Sequence, residues 1–230
     1  MSPLRAPHQS GNSRNDGLPN YGARLRQARL GMAIALAGVA MLFAVFTVTF
    51  AFRRFFDEGP GVNSSTPARF SHWTHLQLPV SLLVFNTFLL LASSVTMEMA
   101  RRQVTKRAAL APVENIPGVS LGKEPNLPWL PATILLGCGF VFGQVLAWSR
   151  MAASGIYLAT TPSSTFVYLA TILHSIHVGA GLLALFTAGA LAIAKASWDT
   201  QRIVVDVSSW YWHFMALLWM YLFALVELMS

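Results

Sequence analysis

Gly31–Phe52, GMAIALAGVAMLFAVFTVTFAF, runs for 22 residues without a charge. Crossing a hydrocarbon core about 30 Å thick takes about 20 apolar residues, at about 1.5 Å of helix rise each. A chain in lipid must also satisfy its own backbone groups, so this stretch reads as a transmembrane helix. Four further stretches qualify on the same grounds, at about 76–97, 130–148, 166–194 and 208–229. The one at 166–194 is long enough to tilt or to protrude from the bilayer. The expected fold is an all-α membrane protein, a bundle of five transmembrane helices within residues 24–230.

Composition agrees. The 230 residues are 54% hydrophobic and 11% charged, where soluble domains carry about 25% charged residues. So few charges cannot cover a water-soluble body. The net charge of +7 does not point to nucleic acid, because the basic residues lie between apolar runs rather than in one patch interleaved with aromatics. Cys138 stands alone within an apolar run, which excludes a disulfide framework and a cysteine metal cage.

Residues 1–23 hold Pro, Ser, Asn, Gly and Arg with little to bury, and read as a disordered tail. The first apolar run starts too late and is too long for a secretory signal. The proline-rich stretch 108–131 reads as an extended connector that ends the second helix. Twelve of the 16 Lys and Arg residues lie in the tail, after the second helix and after the fourth. Such an excess marks the cytoplasmic side, which predicts a cytoplasmic N-terminus and a periplasmic C-terminus.

Ionisable residues at membrane depth are functional candidates by default. His174 and His177 sit three residues apart in ATILHSIHVGAGLL, and His213 opens the last helix in SSWYWHFMALLWMYLF. One reading makes these three the ligands of a b-type haem. The reading preferred here gives them hydrogen bonds to neighbouring helices, with Gly179 and Gly181 permitting close approach. His72 and His75, beside Trp73, belong to an aromatic belt or, alternatively, to a copper site. Gly139–Gly143, GFVFG, suggests tight helix contact. Asn86, Thr87 and Gln144 are expected to satisfy neighbouring helices. The sequence also lacks any phosphate-binding loop, nucleophile elbow or dinucleotide fingerprint.

Five motifs in order resemble subunit III of the haem-copper oxidases, in the short five-helix form found among cytochrome c and quinol oxidases. They are RLGMAIALAGVAMLF, LPVSLLVFNTFLLLASSVTMEMA, Gln144 in the third helix, SSTFVYLATILHSIHVGAG, and WYWHF from Trp210 to Phe214. The resemblance spans about residues 24–230. It implies a subunit with no catalytic centre, haem or copper of its own, the haem and copper lying in partner subunits. It further implies contact with oxidase subunit I and other oxidase subunits, bound phospholipid, shelter of the proton-entry side, a bacterial inner membrane, and membership of a larger respiratory supercomplex. Nitric oxide reductases of the same superfamily have a related accessory protein, which is the rival reading. Trp210, Tyr211 and Trp212 are then interfacial anchors, and His213 hydrogen-bonds inward. Arg53, Arg54, Arg101 and Arg102, at helix ends, are placed to meet lipid head groups. Three carboxylates common in the family are replaced here by Val39, Ala147 and Ala216.

Overall fold

Residues 21–57, 79–114, 128–158 and 162–229 are described by a computed structural model, and within them the chain forms five helices. These are α1 Tyr21–Asp57, α2 Val80–Glu114, α3 Trp129–Ala153, α4 Pro162–Ile193 and α5 Trp198–Met229. All five are long and apolar enough to cross a membrane.

The helix ends differ from those expected, and for one reason. Hydropathy locates the part of a helix that sits in hydrocarbon, whereas the helix continues through residues that favour it at the interface. α1 already includes Tyr21–Ala23, the end of the expected tail, while residues 1–20 lie outside the described residues. α2 runs past Arg101, Arg102, Lys106 and Arg107, all good helix formers, and reaches Glu114. The connector expected from 108 thus starts later, and residues 115–127 are outside the described set. α5 begins at Trp198, ten residues ahead of its apolar run.

Local chemistry sets the remaining boundaries. Pro128 precedes α3 and Pro162 is the first residue of α4, where a missing N–H costs nothing. α3 ends with Gly155 at φ +78° and a bond from the Ile156 N–H to the Met151 carbonyl at 3.0 Å. That is the usual left-handed stop. α4 ends the same way, through the Ala196 N–H to Leu191 carbonyl bond at 3.0 Å, but with Lys195 at φ +52°. A side chain there costs about 1 kcal/mol. Residues 194–197 alone separate α4 from α5, so the two pack as antiparallel neighbours.

α2, α3, α4 and α5 close into a four-helix ring, each touching the next, with α5 returning to α2; α1 lies outside it along α5. Lipid tails are as apolar as leucine, so helices in a membrane associate through close approach and hydrogen bonds rather than hydrophobic burial. The ring shows both. A Cβ added at Gly143 would overlap the Asn86 side chain, and one at Gly137 would stand 2.8 Å from the Trp212 ring. At Gly181 it would meet Tyr211 at 2.9 Å, whereas Gly179, also expected at a contact, faces open space.

Candidate functional site

Among the described residues two polar zones occur in this bundle. The first is a set of hydrogen bonds spread along the seams between the four ring helices. Asn86, fully buried on α2, donates through Nδ2 to the Phe140 carbonyl of α3 at 3.3 Å. Thr87 accepts the Trp219 indole N–H of α5 at 3.0 Å, and Ser93 accepts that of Trp212 at 3.0 Å. Thr96 and Thr133 join α2 to α3 at 2.9 Å. Trp148 Nε1 reaches Thr171 of α4 at 3.0 Å, and Tyr211 donates to the His177 carbonyl at 2.8 Å. Each of these bonds joins two helices, and each is worth about 0.6 kcal/mol where such bonds have been measured in membranes.

The histidines behave differently from the expectation that all three bond across helices. His174 is fully buried, and neither ring nitrogen has a hydrogen-bond partner among the described residues. Its neighbours are rings, which offer no acceptor in plane: Phe140 edge-on at 5.9 Å and Trp219 tilted at 5.1 Å. His177 turns Nδ1 to the Leu173 carbonyl of its own helix at 2.7 Å and sets its ring 5.9 Å from Phe43 of α1. Of the three, His213 is the one whose ring hydrogen-bonds to another helix, at Ser94 Oγ of α2. The three imidazoles thus face three different sets of neighbours. Among the described residues no group of three or more His, Cys, Asp or Glu side chains converges as a metal site would require.

The aromatic trio also divides. Trp212 is buried to 1% exposure and packs inside the ring, so it is no interfacial anchor. Tyr211 is half-buried and bonded to α4. Trp210 is exposed, with the Arg29 guanidinium 5.6 Å from its ring centre. A helix turns about 100° per residue, so three consecutive rings cannot share one environment.

The second zone is ionic and lies at the basic end of the bundle. Asp206 of α5, nearly buried, accepts Arg29 Nε of α1 at 2.8 Å and sits 3.5 Å from Arg101 of α2. Arg101 and Arg102 both bond Glu98 at 2.8 Å. His213 Nε2 stands 3.8 Å from the same carboxylate. Asp206 therefore ties three helices together. Sequence reading missed it because the start of the last span was placed after it; an acid two residues ahead of an apolar run was the available signal.

Val39 is partly buried, and Ala147 and Ala216 are buried in the core. Gln144 is buried on α3 with its Oε1 unpartnered among the described residues, as is Asn86 Oδ1. Arg53 is exposed, and Arg54 lies in α1 with its side chain outside the described set. His72, His75 and Trp73 fall outside the described residues.

Comparison with known proteins adds a consistent finding. A family model described as cytochrome c oxidase subunit III matches residues 23–230. Cytochrome c oxidase subunit 3 of Corynebacterium diphtheriae is 27% identical over 202 residues, covering 87% of each chain. Quinol oxidase subunit 3 of Bacillus subtilis is 32% identical over 155 residues, 66% of this chain and 67% of that one. Probable cytochrome c oxidase subunit 3 of Mycobacterium leprae is 31% identical over 98 residues, 43% of this chain and 48% of that one.

Proposed function

The chain belongs to the cytochrome c oxidase subunit III family, and from that premise we propose that it is a non-catalytic accessory subunit of a respiratory haem-copper oxidase. The observation that carries this reading is the match of the subunit III family model to residues 23–230. The polar side chains support it physically. Asn86, Thr87, Ser93, Ser94, Thr133 and Thr171 are engaged in bonds between or along helices. At the basic end Arg29, Arg101 and Arg102 pair with Asp206 and Glu98, so these groups too serve packing.

In this proposal the subunit docks beside subunit I in a bacterial inner membrane, with the basic end cytoplasmic and the C-terminus periplasmic. It stabilises subunit I, retains phospholipid and shelters the side from which protons enter, while haem and copper remain in the partners. Relatives carry the names of both cytochrome c and quinol oxidases, and donor choice is assigned to the partner subunits. Exposed Arg53 and the largely exposed Arg102 are the head-group contacts proposed among the described arginines.

Affinity capture of the tagged chain from detergent-solubilised membranes tests the proposal. It should retrieve a large helical subunit with haem and copper. Recovery of the chain alone would overturn it, and recovery of a haem protein that reduces nitric oxide but not oxygen would favour the related reductase.

A further inference from the structure

We infer that the basic end of the bundle carries a binding site for a phosphate group, in the cavity between α2, α3 and the turn that joins α4 to α5. That cavity measures about 640 Å³, within the range of about 300–1,000 Å³ that small-molecule sites occupy. Its wall is built by the last turns of α2, by Pro128–Pro131 at the start of α3, by the end of α4, and by residues of the turn and the start of α5.

Charge decides what such a cavity takes. Among the described residues its wall holds two charged side chains, Arg107 and Lys195, both positive, and no Asp or Glu. Glu98 and Asp206, the acids of the ionic zone, are held by Arg101, Arg102 and Arg29. The rest of the wall is mainly apolar and includes Trp129 and Trp198, a ring type that favours the boundary between lipid and water. An arginine can grip a phosphate through two parallel N–H groups, and a lysine adds a point charge. Basic pockets between membrane helices hold phosphate-bearing lipid head groups in this way.

The backbone singles out Lys195 on separate grounds. It stands at φ +52° just past the end of α4, where a glycine is free of strain and other residues are not. α3 makes its own stop with Gly155, at φ +78°. A glycine at 195 would make the same turn without strain, but would take the ammonium off the cavity wall. The site is distinct from Arg53 and Arg102. It belongs to this chain's own residues and stands whether or not the oxidase reading does.

The full-length chain in nonionic detergent gives the test, with bound lipid counted by native mass spectrometry. Phosphatidylglycerol should bind more tightly than zwitterionic phosphatidylcholine. Each basic residue at a membrane surface contributes about fivefold in affinity, so Lys195→Gly should weaken phosphatidylglycerol binding by about that factor. Its thermal midpoint should be unchanged or higher, because the strain at 195 is gone. Arg107→Gln should give a similar loss, and decides the question alone should the glycine variant not fold. Lys106→Gln, exposed on α2 and off the cavity wall, should bind as the unaltered chain does. Inorganic phosphate that displaces the lipid would identify a soluble phosphate as the ligand, and lipid retained against it would identify the head group. Equal binding of the two lipids, or an affinity that neither wall variant lowers more than Lys106→Gln, would overturn the assignment.

Discussion

The four-helix ring and α1 are both membrane helices of similar composition, yet they are held by different physics. In the ring, backbones approach until a glycine is the only residue that fits: Gly143 lies against Asn86, Gly137 and Gly181 against Trp212 and Tyr211. Hydrogen bonds then cross from helix to helix. α1 has no such contact. Gly31 and Gly38 face open space, and Ile34, Met41 and Val48 are about two-thirds exposed. It is fastened by Arg29 on Asp206 at one end and by Phe46 and Phe50 stacking on Phe166 at 5.0 and 4.1 Å toward the other. Apolarity alone, which both regions have, does not hold helices together in lipid; steric fit and directed bonds do.

Substitutions that interchange these modes test the contrast. The largest effect is expected from Gly143→Ala, because the new Cβ overlaps Asn86. Over-packing of this kind costs about 1–3 kcal/mol, read as a lower unfolding midpoint in mixed micelles. Adding Asn86→Ala should recover part of that loss. A double variant as unstable as the sum of the singles would mean that the two residues do not touch. Trp212→Phe comes next. It removes the bond to Ser93 and leaves a void beside Gly137, with a combined cost of about 1–2 kcal/mol and a compact but less heat-resistant protein.

Arg29→Leu should act on α1 alone. Arg29 is 41% exposed, and pairs this open are worth about 0.2–1 kcal/mol. The expected outcome is faster proteolysis or cross-linking at α1 with the ring intact. In the unaltered protein, raising the salt should shift α1 the same way. A chain carrying both Arg29→Asp and Asp206→Arg should regain part of the tether. The smallest effect belongs to Gly38→Ala, which meets no atom and raises helix propensity. A change within about 0.5 kcal/mol is expected, and a loss as large as that of Gly143→Ala would show that α1 is tightly packed after all.

The contrast also explains what could be read in the amino-acid order. The five spans were legible because a bilayer demands long uncharged runs, as in Gly31–Phe52. The positions that pack were not. A helix that is apolar on every side gives little periodic signal, so nothing in WYWHF marked Trp212 as buried and Trp210 as exposed. The Gly139–Gly143 pair did announce a close contact, though not that Asn86 fills it. Asp206 went unseen because it precedes the apolar run that defined the last helix. His174 has spacing that equally suits a ligand, a hydrogen bond or a packed ring, and its aromatic neighbours on α3 and α5 select the last of these.

The central claim is that this subunit holds a complex together and takes no part in its chemistry. His213 is the residue best placed to contradict it, since its ring joins Ser94 and faces the Glu98 carboxylate within the ionic zone. His213→Phe keeps a ring of similar size but leaves Ser94 without this partner, at a cost of about 1–2 kcal/mol. The decisive measurement is turnover per haem in the purified His213→Phe complex, with subunit occupancy determined separately. Fewer complexes should assemble, and those that do should turn over at close to the unaltered rate. A large loss of turnover in fully occupied complexes would place His213 in the reaction and contradict the account.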